Sequence, residues 1–132
     1  MKTLIVEDDF VSRRLIQTIL SPYGRCEMAT NGKEAVLAFK LGWEENDPYD
    51  LICLDIMMPV MDGLEVLEEV RRLEEERGIS GLSGVKIIMT TALDDPRSIM
   101  KAFKKQCEDY LIKPIDRARL LEKVKELGLM TE

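Results

Sequence analysis

The chain has 132 residues, 45% of them apolar and 33% charged, with a net charge of −6. This describes one globular domain long enough to bury a core, and its acidity argues against direct nucleic-acid binding. Histidine is absent and the three cysteines, Cys26, Cys53 and Cys107, lie far apart. That excludes Ser-His-Asp and Cys-His chemistry, histidine-ligated zinc and a phosphohistidine carrier.

The first apolar run, Leu4–Val6 in "TLIVEDDF", ends directly in Glu7, Asp8 and Asp9. Neighbouring like charges cost on the order of 1 kcal/mol per pair in water, and more where solvent is partly excluded. Either a cation offsets that cost or the acids splay into solvent. Val11, Leu15, Ile16, Ile19 and Leu20 then share one helical face. After Pro22-Tyr23-Gly24 comes a weaker strand, Cys26–Ala29, and after Asn31-Gly32 a helix with Ala35, Val36, Phe39 and Trp43 on one side.

A second continuous apolar run, Leu51–Leu54, follows Asp47-Pro48 and ends in Asp55. Leu64, Leu67, Val70 and Leu73 form the next helical stripe, and the Gly78–Gly84 loop leads into a strand over Val85–Met89. Beyond Asp95-Pro96, a short helix carries Ile99, Met100 and Phe103. Tyr110–Ile112 reads as the last strand, and Leu120, Leu121, Val124 and Leu127 mark the last helix.

Short unbroken apolar runs suit parallel strands covered on both faces. Five of them alternating with five helices predict an α/β fold, a doubly wound five-stranded parallel sheet with helices on both faces, formed by one domain over residues 1–132. No apolar run approaches the roughly 18–20 residues of a membrane span. The N-terminus is too short and too acidic for a signal peptide, so a cytoplasmic location is expected, without membrane contact. The cysteines are expected to be reduced thiols. Residues 1–96 carry 10 basic and 19 acidic groups, whereas residues 97–125 carry 9 and 4. That basic segment suits an acidic partner surface, or is simply a solvated face.

Ligands of open parallel α/β sheets bind beyond the carboxyl ends of the strands. Glu7, Asp8, Asp9 and Asp55 all fall there. A set of oxygen donors of this kind suits Mg²⁺, although solvated loop acids would read the same way. Thr90-Thr91-Ala92 ends the fourth strand and Lys113-Pro114 follows the fifth. Carboxylates, a hydroxyl and a lysine at one rim are the parts phosphoryl transfer needs, while a turn threonine and an exposed lysine remain the plainer alternatives.

The segments "LIVEDD", "LDIMMPVMDG", "IIMTTA" and "YLIKPI", together with "NGKEAV" at the second helix, resemble the receiver domain of response regulators across essentially the whole chain. The resemblance implies a flavodoxin-like fold with strand order 2-1-3-4-5. It implies Asp55 as the acceptor of a phosphoryl group from a histidine kinase or phosphotransfer protein. Mg²⁺ would be held by Asp8, Asp55 and the backbone carbonyl of Met57, with Glu7 acting largely through bound water. Asp9 would lie outside the acidic pair. Thr91 and Lys113 would bind phosphoryl oxygens, Thr91 and Tyr110 would form the switch, and the Lys113–Pro114 peptide would be cis. The domain would act as a signalling switch rather than an enzyme with substrate turnover. Its downstream target would dock on the fourth helix, fifth strand and fifth helix, and a homodimer is a further possibility.

Two departures from the family stand out. Met57 and Leu93, two places after Asp55 and Thr91, are apolar where polar groups often place the hydrolytic water, so a long-lived aspartyl phosphate is expected. "KKQCEDY" lacks the small residues common before the last strand. Competing readings are a degenerate receiver that binds partners without phosphorylation, a phosphohydrolase of the haloacid dehalogenase type and an FMN carrier. Met57 stands where the phosphohydrolase would have a second aspartate, and Glu7-Asp8-Asp9 would repel a flavin phosphate.

Overall fold

A computed structural model describes residues 1–80, 83–92 and 96–130. Leu93 and the Asp95 half of the Asp95-Pro96 turn lie outside the described residues, as do positions 81 and 82 of the Gly78–Gly84 loop. Five parallel strands, β1 (Lys2–Val6), β2 (Arg25–Ala29), β3 (Leu51–Asp55), β4 (Lys86–Thr91) and β5 (Asp109–Ile112), form one sheet in the order β2-β1-β3-β4-β5. Between and after them run α1 (Phe10–Leu20), α2 (Gly32–Glu44), α3 (Gly63–Glu76), α4 (Pro96–Lys104) and α5 (Arg117–Glu126). This is the flavodoxin-like arrangement the sequence resemblance implied.

Alternation along the strands supplies two separate cores. Leu4, Val6, Ile52, Leu54, Ile87 and Met89 face α2, α3 and α4, together with Phe39, Leu67 and Val70. Ile5, Leu51, Cys53, Ile88 and Leu111 face α1 and α5, against Ile16, Leu20, Leu120 and Val124. The three central strands β1, β3 and β4 are buried almost throughout, which accounts for their unbroken apolar runs. β2 is an edge strand with only Ala29 fully buried, which accounts for its weak signal. The thiols of Cys26, Cys53 and Cys107 are all free, with Cys53 and Cys107 buried and Cys26 partly so.

Two helical faces are only partly covered. Val11 and Leu15 of α1 are exposed while Ile16, Ile19 and Leu20 are buried, and in α4 Ile99 and Ala102 are buried while Met100 and Phe103 are exposed. Helical spacing groups residues on a face but does not say how much of that face a neighbour covers. Among the described residues four helices start on a side-chain cap: Asp9, Asn31, Asp62 and Asp116 each accept a backbone N–H of the first turn, and Asp62 and Glu65 form a reciprocal capping box. No helix among the described residues is long and apolar enough to cross a membrane.

Candidate functional site

Strand order decides which rim residues meet. β1 and β3 are neighbours, with Val6 opposite Leu54, so the residues that follow them, Glu7 and Asp55, arrive side by side. Both are buried, Asp55 at 3% exposure, whereas Asp8 is exposed. One carboxylate oxygen from each of Glu7, Asp8 and Asp55 lies within 4.8 Å of the others. Oxygens around a six-coordinate Mg²⁺ at about 2.1 Å stand roughly 3–4 Å apart, so the three oxygens are near the spacing that one ion requires. The donors are all carboxylate oxygens, the chemistry a hard cation selects.

Asp9, the third acid, is turned to another use. Its side chain accepts the Ser12 N–H and begins α1, and that bond holds its carboxyl below the usual aspartate range. Its own N–H donates to Glu7 Oε2 at 3.1 Å. It stands outside the acidic cluster, where the sequence reading placed it.

Lys113 enters from beyond β5. Its N–H donates to the Thr91 carbonyl at 2.7 Å, carrying the β4–β5 ladder one step further. Its Nζ lies 2.6 Å from Glu7 Oε1 and 3.5 Å from Asp55 Oδ1. The Lys113–Pro114 peptide is cis. Burial alone would depress the ammonium pKa, but the hydrogen bond to Glu7 and the charges of Asp55 and Glu7 outweigh it and hold the pKa above the ordinary lysine value. Asp55 is pushed up to about 7, first by burial and then by its hydrogen bond and repulsion with Glu7; Lys113 and the Met57 N–H oppose the rise.

Thr91 ends β4 and is buried; its neighbour Thr90 pairs with Asp55 in register, and the Thr90 carbonyl accepts the Ile56 N–H at 2.9 Å. Met57 sits at the mouth, 69% exposed, and donates its N–H to Asp55 Oδ1 at 3.3 Å. Tyr110 is not in the carboxylate cluster. It lies on β5, half-buried, with its ring edge-on to Phe103 at 5.9 Å.

Two residues that sequence reasoning passed over support the site. A Cβ on Gly63 would stand 2.1 Å from the Asp55 carbonyl oxygen, and the Gly63 N–H donates to the Ile56 carbonyl at 2.8 Å. The glycine in "MPVMDG" therefore lets α3 begin against the backbone of Asp55. Arg13 donates from Nη1 to the Glu7 carbonyl at 2.9 Å and more weakly to the Asp8 carbonyl at 3.4 Å. Its spacing from Asp9, one helical turn, was the available signal.

The family model described as "Response regulator receiver domain" matches residues 3–125. The chain belongs to that family. Receiver domains are components of two-component and phosphorelay signalling. The chemotaxis protein CheY of Halobacterium salinarum is 30% identical over 127 residues, covering 96% of this chain and 95% of that protein. The receiver domain of the response regulator Ssk1 of Saccharomyces cerevisiae, solved with the histidine phosphotransfer protein Ypd1, is 30% identical. It superposes with a TM-score of 0.84 over 99% of this chain and 90% of its own. A CheX–CheY–BeF3–Mg complex from Borrelia burgdorferi gives a TM-score of 0.82 at 26% identity over 98% of this chain and 90% of that one. Other relatives are much larger: the chain spans 7% of a hybrid histidine kinase of Dictyostelium discoideum and 49% of the probable transcriptional regulator ycf27 of Cyanophora paradoxa.

Proposed function

We propose that this receiver domain is a phosphorylation-driven signalling switch in which Asp55 accepts a phosphoryl group from a phosphohistidine on a kinase or phosphotransfer partner. The observation that carries this reading is the buried Asp55 carboxylate, with Lys113 Nζ at 3.5 Å and the Glu7 and Asp8 oxygens within 4.8 Å. Glu7, Asp8, Asp55 and the Met57 carbonyl would hold Mg²⁺, which supplies charge neutralisation for the phosphoryl oxygens.

An Asp55 carboxylate oxygen attacks phosphorus, the O–P bond forms and the N–P bond breaks. The donor histidine, protonated on its other ring nitrogen, leaves as neutral imidazole. Lys113 is charged and already beside the acceptor, so it pairs with a phosphoryl oxygen without a large movement. Thr91, at the end of β4, donates its hydroxyl to another. The added charge favours the arrangement in which Thr91 and Tyr110 turn toward the site, and a partner protein reads the change on α4, β5 and α5. Exposed Met100, Phe103 and Ile112 lie on that face, which suits a target protein or a second copy of the chain. The domain turns over no separate substrate in this reading, and its free thiols suit the cytoplasm.

The test is intact mass after incubation with acetyl phosphate and Mg²⁺, beside an Asp55→Asn variant. One phosphoryl group on the parent and none on the variant supports the proposal. An unmodified parent that still binds Mg²⁺ overturns it in favour of a phosphorylation-independent interaction module.

A further inference from the structure

The corner between β1 and α1 holds all three consecutive acids, yet a cation is built into it. The Glu7 N–H donates to Ala29 O at 3.1 Å and extends the β1–β2 ladder by one residue. Asp9 then caps α1, and the Arg13 N–H bonds back to the Asp9 carbonyl at 3.0 Å. Arg13 is half-buried, and its guanidinium returns to the corner over the Phe10 ring at 5.6 Å. There Nη1 donates to the Glu7 and Asp8 carbonyls at 2.9 and 3.4 Å. The next residue, Arg14, is exposed.

Coulomb's law alone makes this arrangement unfavourable, because a fixed positive charge beside a divalent-cation site repels the ion. The hydrogen bonds supply the compensating role. Among the described residues the Asp8 carboxylate takes no hydrogen bond or ion pair, so its direction depends on the peptide planes on either side of it. We infer that Arg13 is a positioning residue for the divalent metal: by gripping the Glu7 and Asp8 carbonyls it orients the Asp8 carboxylate toward Glu7 and Asp55. Part of its charge is met by Asp9 and Glu34, whose carboxyls are held low first by hydrogen bonds from Ser12 and Thr30 and to a lesser degree by Arg13. The inference rests on the metal reading proposed above.

The experiment is calorimetric titration of the full chain with Mg²⁺, comparing the parent with R13K, R13Q and D8N at low and high salt, with metal-free melting curves as the fold control. Outer-shell partners of metal ligands contribute about tenfold or more to affinity. R13Q is therefore expected to bind Mg²⁺ about tenfold more weakly at both salt concentrations, and R13K, which keeps one donor group, to fall between. Parent-like or tighter binding by R13Q overturns the inference, because a role through charge alone predicts tightening that salt abolishes. Should R13Q fail to fold, R13K decides, and parent-like affinity overturns it. If D8N also binds as the parent does, the metal reading itself has failed. If D8N weakens binding and R13Q does not, only the role of Arg13 is lost.

Discussion

Lys113 is closer to Glu7 than to Asp55: its Nζ stands 2.6 Å from the Glu7 carboxylate and 3.5 Å from that of Asp55. The lysine therefore neutralises a fully buried glutamate, and in the proposed mechanism it must share itself with the incoming phosphoryl group. Removing it leaves Glu7 buried and unpaired. Breaking a buried pair by deleting one partner costs about 3 kcal/mol or more. Lys113→Ala is expected to lower metal-free stability by about that amount, and saturating Mg²⁺ to recover much of it. Melting curves with and without Mg²⁺ check this, and an unchanged metal-free midpoint would remove the ion pair from the account.

The raised Asp55 pKa gives a pH dependence of definite sign. The folded state holds this proton up to about pH 7, whereas the unfolded chain releases it near pH 4. Between those values the folded state binds more protons, so this carboxyl makes the metal-free protein less stable as pH rises. Mg²⁺ takes the deprotonated form, so its affinity rises with pH toward 7, by up to about tenfold per unit. Titrations at several pH values from 5.5 to 8 test this. A flat affinity would mean that Asp55 is ionised throughout.

Gly63 links the start of α3 to the site through backbone alone. A Cβ 2.1 Å from the Asp55 carbonyl oxygen leaves no room for adjustment by a flexible side chain, so the strand end or the helix has to move. Gly63→Ala is expected to cost about 3 kcal/mol, the upper part of the usual range for overpacking. Mg²⁺ affinity should fall with it, because the displaced atoms belong to Asp55. A denaturant series reads the first effect and calorimetry the second. A fully stable variant would show that the contact is soft.

The parts of this architecture that the sequence carried are those encoded by burial on both sides. Leu51–Leu54 and Leu4–Val6 are unbroken because helices cover both faces of β3 and β1, and the acids after them mark where the cover ends. β2 was faint because Glu27 and Met28 sit on an exposed edge. Val11, Leu15, Met100 and Phe103 belong to apolar stripes yet are exposed, because a period of 3.6 describes a stripe and not its neighbour. Asp9 shows the same limit at the site: as a residue type it equals Asp8, and only the position of the Ser12 N–H makes it a cap. Arg13 offered only its spacing of one turn from Asp9, since its partners are backbone carbonyls that any sequence possesses.

Met57 governs how long the switch stays on, in the proposed mechanism. Hydrolysis needs a water held in line with the Asp55 O–P bond, and an accepting or donating side chain at the mouth would hold it. Met57 presents a thioether there, 69% exposed and a weak acceptor at best. Water must then reach the phosphorus without a fixed partner on this side, and loss of orientation costs rate. The aspartyl phosphate is accordingly expected to outlast the seconds scale in Mg²⁺ buffer. Met57→Asn, which restores a polar group without adding charge, should hasten its loss about tenfold. The measurement is the decay of the phosphorylated mass after the phosphodonor is removed. Equal lifetimes for parent and variant would show that the water is placed from elsewhere on the rim.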